Sequence, residues 1–516
     1  MIQFSRDFLR DRIYACWIGK NIGGTLGMPM EWNRSKNDVS YYTHDISGEP
    51  LPNDDLDIQV LWLLALEDHG LKVDAKILGQ YFNELMIFTH AEYGTAKANL
   101  RVGLEPPYSG IYNNDFKDSC GSFIRSEIWA CLFPGYPELA AKYAFEDALV
   151  DHGDGEGVYA EVFTAAVESA AFFENDTKKL LQIGLSYLPE DCAVARAVRA
   201  GWDCWEKGLE PMAAREQMLQ NFIGHIEWHY ISPEDEAKGY GEGPFGWDVP
   251  SNLFIIAYSL LYGEGDLEKA MCTAVSFGED TDCTAGTIAS LFGIRYGIDS
   301  IDRKWIDPIG TRLKTISIDP FRMENRIPKD IYEFSARVEK LHQAAVEQFG
   351  LYREEGIPSF EAKPYFKNIY DEMHVVRYCF DYLNVRVDYC GDPVLRAGEQ
   401  KRVRFRVSNT AKSVSSERLW LHLYTPDEVT VSPSKDLSTF VTMGHMGSGI
   451  RAVDFLLEVE QAVRPLYRFV LEIGFEDSKR GRIYHVPFVL LNEGGEVIPA
   501  KFEKNGPPAC PNQPRV

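Results

Sequence analysis

Apolar positions recur at helical spacing through the first two thirds of the chain and at alternating spacing through most of the last third. Over residues 7–30 the apolar pattern runs into Gly19, Gly23 and Gly27, one glycine every four residues. This leaves one face of the predicted helix bare, as close helix packing requires. Further helices are predicted over residues 57–69, 75–89, 137–150, 156–173, 177–186, 191–207, 249–262, 266–276, 285–296 and 329–348. Two intervals break the rhythm. Residues 93–116 are rich in glycine, proline and asparagine, carry Tyr93, Tyr108 and Tyr112, and are expected to form a long loop. Residues 221–249 are irregular and aromatic. From Tyr382 the spacing falls to two, as in Val403-Arg404-Phe405-Arg406-Val407, with turn residues between the runs. Short alternating strands of this kind indicate a β-sandwich. The expected organisation is multidomain, α and β: an all-α domain over residues 1–370, a β-sandwich over 380–500, and a proline-rich tail over 501–516 expected to be disordered.

Composition narrows the choice of partner. The 516 residues are 45% hydrophobic, enough for more than one core, and 53 basic against 77 acidic residues leave a net charge of -24. A surface this acidic repels phosphate backbones and anionic lipid, so neither nucleic acid nor a membrane is an expected partner. No apolar run approaches the ~20 residues of a membrane span, and the first twelve residues lack the apolar core of a signal peptide. The ten cysteines are scattered, without a Cys-x-x-Cys pair. They read as free thiols in a reducing cytosol, and a cytoplasmic location is expected.

The candidate chemistry lies in two acidic clusters. Gly278-Glu279-Asp280-Thr281-Asp282-Cys283 precedes the apolar run 285–296, and Asn53-Asp54-Asp55-Leu56-Asp57 opens another. Carboxylates at a helix N-terminus are favoured by its partial positive charge, and a single Asp there is most simply a cap. One residue suffices for a cap, whereas each of these clusters holds a pair or more. Closely spaced carboxylate oxygens are what a hard cation such as Mg²⁺ needs. If the two helix ends meet, they form one oxygen-lined pocket.

Together with the glycine-face helix ending in Met28-Pro29-Met30-Glu31, these clusters resemble the ADP-ribosylglycohydrolase superfamily, which includes the dinitrogenase-reductase-activating glycohydrolases. The resemblance covers roughly residues 12–297. It implies an all-α orthogonal helical bundle with one or two Mg²⁺ ions (Mn²⁺ in some members), and hydrolysis of an N- or O-glycosidic bond of an ADP-ribosyl substrate. Carried over residue by residue, it makes Asn53, Asp54, Asp55, Asp280 and Asp282 metal-site residues, with Glu31 or Asp55 handling the proton. Cys283 stands where the family has a threonine at the second metal, and Leu56 also departs from the pattern; a thiol is a poor Mg²⁺ ligand. Residues 118–125 match the family's substrate-contacting motif at Gly121 and Arg125, with Ser122 beside them. His152 matches a turn histidine and is expected in the pocket wall. Phe245, Trp247 and Asp248 occupy a substrate-side loop.

The degenerate motif around Gly121, the acidic charge and the appended sandwich favour an alternative: a hydrolase of a non-phosphorylated furanoside or nucleoside-like conjugate. A third reading is an inactive relative that binds a ligand. The sandwich is a candidate carbohydrate-binding or dimerisation surface.

Overall fold

The computed structural model describes residues 6–492, apart from 32, 224–229, 232, 239–245, 324, 353–368, 411–415, 443–448, 462 and 477–480. Helices fill the first part and two β-sheets the second. Seven helices position the site: α1 (Arg6–Gly27), α2 (Asp54–His69), α3 (Ala91–Val102), α4 (Glu156–Ala171), α5 (Val249–Gly263), α6 (Thr281–Tyr296) and α7 (Ile331–Phe349).

The bare face of α1 decides the packing. A Cβ added at Gly19, Gly23 or Gly27 would collide with the backbone of Ala289, of Ala285, or of Thr281 and Asp282, and one at Gly293 would collide with that of Ala15. The two helices therefore approach backbone to backbone along their length. The contact runs to the end of α1, where Thr281 Oγ1 donates to the Gly27 carbonyl at 2.8 Å. Gly24 leaves room for the Asn53 amide at the start of α2. Three helix ends thus meet: the C-terminus of α1 and the N-termini of α2 and α6. Both α2 from Asp55 to Leu66 and the first eleven residues of α6 are buried all round, as central helices of a large core are. The chain leaves α1 through a 3-10 turn, Met28–Met30, which carries Glu31 beyond the helix end.

The interval 93–116 is largely not a loop. Helix α3 runs through its first part and ends at Gly103, φ 99°, whose amide caps back to Asn99 and Leu100. Its glycine is used for packing, since an added Cβ at Gly94 would strike the Thr89 carbonyl. The helix predicted over 75–89 ends at Leu85, and the backbone then pairs Ile87 N–H with the Ser317 carbonyl at 2.7 Å.

Strands β1 (Asn33–Arg34) and β2 (Tyr230–Ile231) pair in parallel within the helical part. The sandwich comprises β3 (Val376–Cys379), β4 (Leu383–Asp388), β5 (Val394–Leu395), β6 (Gln400–Asn409), β7 (Glu417–Tyr424), β8 (Thr430–Ser432), β9 (Asp436–Val441), β10 (Ile450–Glu458), β11 (Leu466–Phe475) and β12 (Ile483–Asn492). One sheet has the order β3-β4-β6-β10-β8 and the other β5-β12-β11-β7-β9, antiparallel except for the β5–β12 pair. Alternating positions such as Val385, Val387, Phe405, Phe455, Leu471 and Phe488 fill the space between the sheets. Val102, Leu104 and Tyr108, from the end of α3 and the segment after it, join this second core. The tail 501–516 lies outside the described residues.

Candidate active site

Asn53 caps α2: its Oδ1 accepts from the Asp55 amide at 2.7 Å, while its Nδ2 donates to Asp282 Oδ2 at 3.2 Å on the other helix. Cys283 Sγ lies 3.5 Å from Asp55 Oδ1. The two acidic clusters, more than two hundred positions apart, therefore interlock. A cap supplied by Asn53 relieves Asp54 and Asp55 of that task. Asp280 stands at the N-cap position of α6 yet makes no side-chain cap bond. Its Oδ1 and the Oδ1 of Asp282 are buried with no hydrogen-bond partner among the described residues. Buried carboxylate oxygens without partners are costly unless something else neutralises them.

One carboxylate oxygen each from Glu31, Asp280 and Asp282 can lie within 4.8 Å of one another, and so can ligand atoms of Asp55, Asp282 and Cys283. Burial, with the neighbouring charges of Asp55 and Asp54, pushes Asp282 up to about 7. Burial and Asp282 raise Asp280 well above the carboxylate range. Asp55 is also pushed up to about 7, by burial first and against the pull of Lys20. Groups crowded and desolvated in this way favour protons or a cation in their midst.

Asp55 faces inward. Its Oδ2 is 3.0 Å from Lys20 Nζ, which lies 2.9 Å from Glu127 Oε1, and all three side chains are buried. Glu127 accepts from Gln59 at 2.7 Å. Asp57 belongs to the scaffold: its Oδ2 accepts from the amides of Ile316 and Ser317 and the hydroxyl of Ser317, at 2.6–2.8 Å. It thereby anchors a pocket wall at Ile316.

The pocket over these residues has a volume of about 310 Å³. Carboxyl groups of Glu31, Asp54, Glu92 and Asp280 line it, with His90, Ser119, Cys120, Gly121, Cys283 and the apolar or aromatic side chains of Met28, Phe88, Tyr93, Ile124, Trp247 and Ile316. Tyr93 donates its hydroxyl to Asp54 Oδ2 at 3.1 Å. Burial, with His152 countering it and Asp151 adding to it, pushes Glu92 up to about 7. Burial, then the charge of Glu279, pushes Asp248 up to about 8. Glu279 has φ 66°, a left-handed backbone that a non-glycine residue adopts at a cost of about 1–2 kcal/mol. Arg34 holds it there with two bonds of 2.6 and 2.9 Å, both side chains fully buried.

Not every expected residue reaches the pocket. Gly121 and Trp247 line it, and Asp248 pairs with Ser119 in an isolated bridge beside it. Ser122 is buried behind, donating to the Gly157 carbonyl at 2.6 Å. Arg125 is fully buried: it forks onto Asp151 at 2.7 and 2.8 Å, meets Asp147 at 2.9 Å and donates to the Gly121 carbonyl at 2.9 Å. His152, also fully buried, bonds Asp151 through Nδ1 at 2.9 Å. These three brace the wall from the core side. Arg125 presents no group to the cavity because Asp147 and Asp151 claim its guanidinium, and Ser122 presents none because its hydroxyl is spent on the Gly157 carbonyl of α4. Replacing Arg125 by Met is accordingly expected to cost about 3–5 kcal/mol, because Asp147 and Asp151 would stay buried without their cation. A fall in the denaturant midpoint checks this. Asn53 spends its oxygen on a backbone amide and serves the site through its amide. Burial, with the charge of Asp280 next, raises the Cys283 thiol, which donates to Asp55 Oδ1 at 3.5 Å while standing among the groups that could hold a metal. Phe245, with His225, Trp228, His229 and Tyr240, lies outside the described residues.

Lys20, Arg34, Glu92, Glu127 and Glu279 escape the motif reading. For Lys20 a signal was present: a lone cation one residue from the glycine face of a small-residue helix.

A profile of the family described as ADP-ribosylglycohydrolase matches residues 5–339. Among solved structures, a chain described as an ADP-ribosylglycohydrolase-related protein complex aligns at 18% identity over 66% of this chain and 99% of its own, with a TM-score of 0.42. Of the curated proteins, none matches.

Proposed function

This chain belongs to the ADP-ribosylglycohydrolase family, and from that premise we propose that it is a metal-dependent glycohydrolase cleaving an N- or O-glycosidic bond to a ribosyl unit. One observation carries the reading. Asp280, at a helix N-terminus, leaves the cap unmade and turns an unpartnered oxygen into a buried space shared with Glu31 and Asp282. The donors are oxygens, as Mg²⁺ or Mn²⁺ requires. Asp54, Asp280 and Asp282 would hold the ion, with Asp55 behind them on Lys20. Such an ion lowers the pKa of a bound water and polarises sugar hydroxyls.

The chain's own groups supply the rest. Asn53 orients Asp282 and Tyr93 orients Asp54, each through a single hydrogen bond. Glu31 sits at the cavity edge, where its carboxyl accepts the proton released from an attacking water. Phe88, Trp247 and Ile316 form an apolar wall of the cavity. ADP-ribosyl conjugates are the substrate class named by the family and the first to be tried.

The test is metal dependence. Protein stripped with chelator is expected to release neither ADP-ribose from ADP-ribosyl-arginine nor ribose from simple ribosides, and to regain turnover with Mg²⁺ or Mn²⁺. Full turnover in the stripped protein would sink the reading. Absence of both metal and turnover would favour the ligand-binding relative.

A further inference from the structure

We propose that the pocket takes an uncharged conjugate, a ribosyl unit bearing an aromatic or apolar group, in preference to one bearing a diphosphate. The inference rests on the hydrolase reading of this cavity and assigns its substrate class.

Charge comes first. Four carboxyl groups, Glu31, Asp54, Glu92 and Asp280, line the cavity, and no lysine or arginine does among the described residues. The nearby cations are committed elsewhere. Arg125, next in the chain to the lining residue Ile124, is held by Asp147, Asp151 and the Gly121 carbonyl and is fully buried. Lys20 is held by Asp55 and Glu127, and Arg34 engages Glu279. A divalent ion held by Asp54, Asp280 and Asp282 would be matched by their charges and would leave little for a diphosphate. Groups inside a cavity are screened far less than groups at the surface, so the repulsion persists at ordinary salt.

Position comes second. Glu92 Oε1 fills the space that a side chain at residue 121 would need. The turn Ser119–Gly121 therefore presents a carboxyl oxygen beside its backbone. That suits sugar hydroxyls, which donate to carboxyl oxygens, and opposes phosphate oxygens, which only accept.

Shape comes third. Phe88 and His90 lie ring to ring at 5.0 Å, and His90 and Tyr93 at 5.8 Å, forming one side of an aromatic wall. Trp247 and Ile316 complete the lining, and Ile316 is 40% exposed at the rim. A volume of about 310 Å³ lies at the low end of the ~300–1,000 Å³ range of ligand pockets. It fits a sugar with one ring system stacked beside it.

Calorimetric titration of the full-length, Mg²⁺-loaded protein with adenosine and with ADP-ribose tests the assignment. Adenosine is expected to bind at least about tenfold more tightly at physiological salt, with the gap narrowing at ~1 M salt. In a Glu92→Gln variant ADP-ribose should gain affinity relative to adenosine. Equal or tighter binding of ADP-ribose, or no binding of either compound, overturns the proposal. The two readings fail separately. A metal-dependent enzyme that prefers ADP-ribose loses only the substrate class. A protein that binds adenosine but turns over as well without metal as with it loses only the metal mechanism.

Discussion

Asp280→Asn is expected to lower turnover roughly a thousandfold and to abolish the rise in thermal midpoint expected of the parent protein on addition of Mg²⁺. The figure follows from the several kcal/mol that a Lewis-acid cation contributes to a transition state, at 1.36 kcal/mol per factor of ten. The substitution keeps the shape of the side chain. It also leaves intact the backbone contacts of this residue, whose amide donates to Asn252 Oδ1 at 3.1 Å and whose carbonyl accepts from the Thr284 amide at 3.1 Å. What it removes is an ionisable group from a set of crowded, buried acids. The metal-free variant should therefore melt at or above the temperature of the metal-free parent, which separates loss of a ligand from loss of fold. Calorimetry with and without cation, beside the rate, is the measurement. A variant that keeps near-parental turnover, or melts well below the parent without metal, would mark Asp280 as structural.

Gly23→Ala is expected to destabilise the helical domain by about 3 kcal/mol, the upper end for overpacking. The added Cβ would overlap the Ala285 carbonyl, and a backbone group cannot swing aside as a flexible side chain can. Relief requires α1 and α6 to separate, and the burial of Ile22, Leu26, Ile288 and Leu291 is lost with their contact. The same change at Gly27 presses on Thr281 and Asp282, so Gly27→Ala should lose turnover as well as stability. Denaturant midpoints for both variants, with cation binding for the second, check this. A Gly23→Ala protein as stable as the parent would mean that the two helices are not in backbone contact.

These two experiments probe the two parts of the chain most legible in its sequence. Glycines at every fourth position announced a face without side chains, and paired acids at the starts of two apolar runs announced more than caps. The alternation after Tyr382 announced the sandwich, because a period of two places every second side chain between the sheets. Residues 93–116 misled for a physical reason. Glycine, proline and asparagine mark turns on average, but Gly94 sits inside α3 as a packing point, and the helix carries Glu92 and Tyr93 into the pocket. Tertiary contact overrode local preference there.

By itself the sequence determined the class of most segments, the candidate metal oxygens and the bare face, since periodicity and residue type are local properties of the chain. Only the tertiary structure decided which like-looking residues share a task. Asp54 and Asp57 lie three positions apart on one helix turn, yet one lines the cavity while the other anchors the backbone at Ile316 and Ser317. Arg125 reads as a ligand-binding cation until Asp147 and Asp151 are seen to enclose it. The charge a side chain presents depends on what folds against it, and those partners come from distant stretches whose approach no local pattern encodes.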